Sequence, residues 1–198
     1  MDADLLAHLE TLVRSGFQSR AEVIVAMREA IDDEGVEVDP AALERAVDDV
    51  IAVVRAESRS WPEVTDNDRL DRAFAALTAD GVIARQDFAC CTSCAQAEIW
   101  DEVPDPGAWR GNVWFHHQDT ERAVQGEGLF LGFGARDPGS RLRRLFRTDR
   151  SPMGPDDAAI GRQVADALTG AGLPVIWDGR VEHRIQVDPF VWQRRPLD

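Results

Sequence analysis

With 198 residues, of which 44% are hydrophobic and 29% are charged, the chain has the composition of a globular protein and the length of one large domain or two small ones. Its net charge of −14 repels phosphate backbones and argues against nucleic acid binding, and no apolar run approaches the roughly 20 residues that cross a bilayer, so no membrane contact is expected. Lysine and tyrosine are both absent, which excludes Schiff-base chemistry, a Walker A phosphate site and phenolic acid–base catalysis.

The first 80 residues carry apolar side chains at every third or fourth position, which is the spacing of amphipathic helices. This pattern predicts four helices in succession. Their boundaries are marked by Gly16 after the first, a capping box at residues 19–22 before the second, Asp39 and Pro40 before the third, and another capping box at residues 65–68 before the fourth.

After Gly81 the apolar period shortens, and the sequence predicts strands that alternate with helices. The expected strands are residues 82–88, 112–117 and 129–133, the expected helices are residues 93–102, 120–125 and a longer one from Pro155, and a closing hairpin joins residues 174–177 to residues 181–187. We therefore predict an α+β protein. Its N-terminal helical half, residues 1–80, packs on a small mixed C-terminal sheet, residues 81–198, and the two form one compact unit.

All three cysteines and two of the four histidines flank a predicted strand–helix–strand unit at the start of this sheet. The chain between the two strands is long enough for a crossover, so the strands are expected to be parallel and adjacent. Cys90, Cys91 and Cys94 follow the carboxyl end of the first strand, and His116 and His117 close the carboxyl end of the second. Ligands bind at that edge of an open α/β sheet, so the two groups are expected to converge.

Thiolate and imidazole are the ligands that zinc prefers, and a Cys-x-x-Cys pair is half of a typical zinc site. The candidate metal ligands are therefore Cys91, Cys94, His116 and His117, with zinc as the candidate cofactor. A structural role, with buried free cysteines and hydrogen-bonded histidines, is open as well. The residues assemble no complete catalytic set, which favours a binding or regulatory protein with a structural or metal-binding cluster over an enzyme.

A second interpretation is a thiol-dependent enzyme or a redox sensor. Cys91 or Cys94 would be the nucleophile, and His116 or His117 would be the base. Asp119 would orient that base, although it can equally cap the short helix that follows.

A third interpretation rests on the distribution of charge. Residues 1–80 hold 19 acidic side chains against eight arginines, so the helical half can dock a basic protein partner, as an inhibitor or immunity-like protein does, or can serve solubility alone. Arginines between Arg136 and Arg150 form a local basic stretch, expected to be an exposed helix face or an anion-binding segment. Three clustered cysteines are no disulfide framework, and the acidic N-terminus lacks a secretory signal, so a cytoplasmic location is expected.

Residues 60–121 contain several distinctive sequence motifs. They are Ser60-Trp61-Pro62, the stretches 65–70 and 81–88, the Cys-Cys-x-x-Cys motif at 90–94, and Phe115-His116-His117-Gln118-Asp119-Thr120-Glu121. These motifs resemble those of a bacterial family of domains of unknown function, domain of unknown function family 6891. The resemblance covers most of the chain. The resemblance implies a bacterial cytoplasmic protein and implies no activity, cofactor or substrate.

Overall fold

The computed structural model describes residues 2–136 and 155–197. The predicted α+β class is confirmed, because these described residues form seven α-helices, most of them N-terminal, and a mixed five-stranded sheet in the C-terminal half. None of the helices in the described ranges is both long and apolar enough to cross a membrane. Apart from Arg136, the basic stretch predicted between Arg136 and Arg150 lies outside the described residues.

Contacts within the chain group it into two compact units. One consists of Met1–Asn67 together with Val191–Asp198, and the other of Asp68–Phe190. The second unit is thus inserted into the first, which is discontinuous in sequence. The division at residue 80 into a helical region and a mixed region stays a prediction.

Three amphipathic helices form the core of the first unit. They are α1 (Ala3–Ser15), α2 (Arg20–Glu34) and α3 (Pro40–Ser58). Each contributes apolar side chains to one shared cluster, in which Leu9, Met27 and Val47 are completely buried. Burial of each such side chain contributes roughly 1.5–3 kcal/mol, so the stripes read from the sequence are the main source of stability in this unit.

Local capping fixes where these helices begin and end, as the sequence predicts. The Ser19 side chain accepts from the backbone N–H of Glu22, whose carboxylate accepts from the backbone N–H of Ser19 in return. The Asp39 carboxylate accepts from two backbone N–H groups in the first turn of α3. After α1 the chain turns at Gly16 with φ of 72°, a left-handed conformation that favours glycine.

The C-terminal segment, residues 191–197, belongs to the first unit and is fastened to it by hydrogen bonds. The backbone N–H of Val191 donates to the Asp66 carboxylate at 3.0 Å. The indole N–H of Trp192 donates to the backbone carbonyl of Arg14 at 2.9 Å, across 178 positions of sequence. These hydrogen bonds therefore attach the segment to residues 1–67, the other part of the same unit.

The second unit is built on the mixed sheet. Its strands are β1 (Val82–Arg85), β2 (Gly111–Trp114), β3 (Leu129–Ala135), β4 (Val175–Ile176) and β5 (Ile185–Val187). The remaining helices are α4 (Asp66–Ala79), α5 (Thr92–Glu98), α6 (His117–Val124) and α7 (Pro155–Gly170), and a 3₁₀ turn lies at Pro106–Ala108. The spatial order is β1-β2-β3-β5-β4. β1 and β2 pair in parallel, as predicted, and the other neighbours are antiparallel, including the closing hairpin of β4 and β5.

The elements next to the cysteines are shorter than predicted, or start at other residues. β1 ends at Arg85 rather than at residue 88, because Asp87 and Ala89 have left-handed backbone angles, with φ of 50° and 62°, that a strand cannot contain. β2 ends at residue 114 rather than at residue 117, because His116 caps α6. For the same reason α6 starts at residue 117 instead of residue 120. α5 covers residues 92–98 rather than 93–102.

Candidate functional site

The three cysteines lie together between β1 and α5. Cys90 and Cys91 precede the helix, and Cys94 is in its first turn. Their Sγ atoms all lie within 4.8 Å of one another, and Cys90 Sγ lies 3.4 Å from Cys94 Sγ. All three are free thiols; Cys90 is exposed and the other two are half-buried. The cysteine cluster, meaning Cys90, Cys91 and Cys94, is therefore compact and open to solvent.

The loop before the cluster is held in an unusual backbone conformation. Asp87 and Ala89 are left-handed although neither is glycine, a state that costs of order 1–3 kcal/mol per residue and persists only where surrounding contacts enforce it. The Thr120 hydroxyl donates to Asp87 Oδ1 at 2.5 Å, and the backbone N–H of His117 donates to the Ala89 carbonyl at 3.2 Å. The start of α6 thus fixes the loop that presents the cysteines.

A small apolar core supports the cluster from below. Ala95 of α5 and Ile99, directly after the helix, are buried against Ile83 of β1 and Trp114 of β2. Because the apolar face of α5 packs on this core, the position of the helix is fixed. The cysteines before the helix and in its first turn are held in place with it.

The thiols have unequal proton affinities in the metal-free protein. The backbone N–H of Cys94 hydrogen-bonds the sulfur of Cys91, and with help from the neighbouring thiols this lowers the pKa of Cys91. Hydrogen bonds with the sulfur atoms of Cys90 and Cys91, together with their charge, raise the pKa of Cys94 to about 12. Three sulfur atoms this close cannot all be thiolates unless a cation lies among them.

His116 is buried and makes internal hydrogen bonds with both ring nitrogens. Nδ1 accepts from the backbone N–H of Asp119 at 3.3 Å, and Nε2 lies 3.0 Å from the Thr92 hydroxyl. Nδ1 also lies 3.1 Å from Asp119 Oδ2, a contact that favours a protonated ring. Burial outweighs that carboxylate, and with the positive charge of Arg184 it lowers the pKa of His116. The ring therefore takes up a proton less readily than an ordinary histidine.

Asp119 is held by an arginine that no local sequence pattern indicates. Its carboxylate is 1% exposed and accepts two hydrogen bonds from Arg184, at 2.8 and 2.6 Å. Arg184 also donates to the Phe130 carbonyl at 2.7 Å and lies over the Trp114 ring at 5.5 Å. Asp119 accepts from the backbone N–H of His116 at 3.1 Å as well, so it caps α6 while it fixes the imidazole.

His117 lies on the outside of this network. Its side chain is 53% exposed, and Nε2 lies 3.7 Å from Asp87 Oδ2. Three cysteines form a group of possible metal ligands whose ligand atoms all lie within 4.8 Å of one another. Within the part of the chain that the structure describes, this group includes no histidine. The structure thus brings Cys91 and Cys94 together with Cys90, which the predicted ligand set left out although its adjacency to Cys91 could have indicated it. The roles of His116 and His117 as ligands stay predictions.

Comparison with protein families resolves the resemblance noted in the sequence. The family model described as "Domain of unknown function (DUF6891)" matches residues 1–196. The chain belongs to this family. The match extends over both compact units, and the family description states no activity. Searches of curated proteins and of solved structures returned no match.

Proposed function

We propose that this member of the DUF6891 family is a binding or regulatory protein in which Cys90, Cys91 and Cys94 hold a metal ion. The observation that carries the proposal is the mutual approach of three Sγ atoms to within 4.8 Å. Thiolates bound to one zinc ion at about 2.3 Å lie roughly 3.8 Å apart in a tetrahedral site. The cluster therefore needs only small side-chain rotations to hold such an ion.

The chemistry of the donors supports a soft or borderline metal. Sulfur ligands favour Zn²⁺ and Cu⁺ over Mg²⁺ and Ca²⁺, which prefer oxygen. A cation among the three sulfur atoms also removes the repulsion that keeps Cys94 protonated.

The test is elemental analysis of the full chain purified without a histidine tag. We expect about one equivalent of a thiophilic metal per chain and a fall in melting temperature after chelation. Cys91→Ser should lose the metal, whereas Ser93→Ala, in the same turn, should retain it. Sub-stoichiometric metal in every preparation, together with melting that a chelator leaves unchanged, would refute the proposal.

A redox sensor is a second candidate, favoured by the 3.4 Å separation of the Cys90 and Cys94 sulfur atoms. Two thiols would give two electrons and two protons to a hydroperoxide, which leaves as an alcohol and water while one disulfide forms. Mass spectrometry after peroxide treatment should then find a Cys90–Cys94 disulfide that dithiothreitol reverses. Oxidation only to sulfinic or sulfonic acid would exclude this candidate.

A further inference from the structure

We propose that His117 is the fourth ligand of a tetrahedral zinc ion held by the cysteine cluster, and that Asp87 orients its ring. The inference rests on the proposed function and narrows it to one metal and one ligand set. Zinc in structural sites takes four ligands, and three cysteines with one histidine is a common set. The question is therefore which of the two adjacent histidines supplies the nitrogen.

The backbone places His117 beside the cluster. Its N–H donates to the carbonyl of Ala89, the residue immediately before Cys90, at 3.2 Å. This hydrogen bond holds the two backbones side by side at the point where the first cysteine follows. The His117 side chain is 53% exposed, so its ring has room to adjust toward the sulfur atoms.

His116 is unsuited to the same role. Its ring is 5% exposed, Nδ1 accepts from the backbone N–H of Asp119, and Nε2 lies 3.0 Å from the Thr92 hydroxyl. Turning either nitrogen toward a metal would break one of these two contacts and would move a ring that is packed in the interior. His116 is therefore part of the scaffold that positions α6, and His117, next to it in sequence, is the residue free to move.

Asp87 has the position of a carboxylate that orients a metal-bound histidine. Its Oδ2 lies 3.7 Å from His117 Nε2, while its Oδ1 is fixed by the hydrogen bond from Thr120. A carboxylate at one ring nitrogen sets the tautomer and leaves the other nitrogen, here Nδ1, to bind the ion. Asp87 itself is 17% exposed and precedes Cys90 by three residues, so the orienting group and the sulfur ligands share one loop.

The experiment compares two histidines with the same exposure. The metal-free full chain and its variants are titrated with zinc in competition with a chromogenic chelator. Loss of an orienting partner typically weakens a metal site by 10- to 100-fold, so we expect His117→Ala to weaken zinc binding by at least about 100-fold. His183→Ala is the matched control, because His183 is also 53% exposed and also pairs with an aspartate, Asp178, at 2.8 Å. The control should bind zinc like the parent protein.

Cobalt substitution reports the ligand set directly. The parent protein should show the visible spectrum of a tetrahedral site with three sulfur atoms and one nitrogen. His117→Ala should lose that spectrum, and His117→Cys should restore tight binding with the spectrum of four sulfur ligands. Asp87→Asn keeps an acceptor for Thr120 and tolerates the left-handed backbone, so it should weaken zinc binding about tenfold without lowering the melting temperature of the metal-free protein.

The outcomes separate this inference from the proposed function. Stoichiometric zinc with equal affinity in His117→Ala and His183→Ala would overturn the ligand assignment and leave the metal-binding function standing. A loss of zinc in His116→Asn but not in His117→Ala would also overturn it. Failure of the parent protein to bind zinc or any other thiophilic metal would overturn both.

Discussion

Replacing Arg184 by leucine removes the cation that faces a buried carboxylate. Asp119 is 1% exposed and receives two hydrogen bonds from Arg184, which bonds the Phe130 carbonyl as well. Breaking a buried ion pair from one side typically costs 3–5 kcal/mol, because the remaining charge stays buried without its partner. Since the Arg184 side chain is itself 29% exposed, water can partly replace it. We therefore expect a loss of about 3 kcal/mol in the free energy of unfolding.

Two further variants isolate the charge from the loss of packing. Arg20→Leu removes an arginine whose pair with Asp48 is exposed on both sides, and should cost much less stability than Arg184→Leu. Arg184→Leu combined with Asp119→Asn removes the stranded charge but keeps the oxygen that caps α6. This double variant should be more stable than Arg184→Leu alone, by roughly 1–2 kcal/mol.

Urea unfolding at pH 7, followed by tryptophan fluorescence and by circular dichroism, measures these differences. Trp114, one of six tryptophans, contributes to the fluorescence change near Arg184, since the guanidinium lies over its ring. A cost for Arg184→Leu no larger than that for Arg20→Leu would contradict the assignment of a buried, stability-bearing ion pair. So would a double variant less stable than the single one.

Three other predictions concern protonation and packing in the second unit. Burial lowers the pKa of His116 in the folded state, so the unfolded state binds a proton more readily than the folded state does. The free energy of unfolding should therefore fall as pH decreases below about 6.5, and should level off below the folded-state pKa. In His116→Asn, which keeps a capping side chain, urea midpoints measured across that range should lose this pH dependence. In the metal-free protein iodoacetamide should alkylate Cys91 at lower pH than Cys94, because the pKa of Cys91 is lowered and that of Cys94 is raised to about 12. Peptide mass spectrometry from about pH 6 to about pH 9 gives the order of alkylation, and equal rates at the two cysteines would contradict the prediction. Gly132→Ala should cost about 1–3 kcal/mol in thermal melts, since the new methyl group would overlap an indole ring, whereas Gly170→Ala, which meets no neighbouring atom, should be neutral or slightly stabilising.

The helices of the first unit could be predicted because their signals are local. Capping residues such as Ser19 and Asp39 lie within three positions of the N–H groups that they satisfy, so a short window contains the whole interaction. The parallel pairing of β1 and β2 was also predictable, since the intervening chain is too long for a hairpin and long enough for a crossover. These features depend on spacing alone.

The parts of the site that sequence reasoning missed depend on contacts distant in sequence. Arg184 reaches Asp119 across 65 positions, and no pattern around either residue indicates the pair. The left-handed angles at Asp87 and Ala89 end β1 early, although neither residue is a glycine that would mark such a turn. His116 as a helix cap is equally hard to foresee, because imidazole is not among the side chains that commonly cap helices.

The attachment of residues 191–197 to the first unit has a consequence for biosynthesis. Helices α1 to α3 leave the ribosome early and can pack through contacts close in sequence, but Trp192 reaches the Arg14 carbonyl only after the whole second unit has been made. Until then the groups that receive this segment are open, and the same segment of another chain can occupy them. A chain released before residue 191 therefore leaves its first unit without these hydrogen bonds.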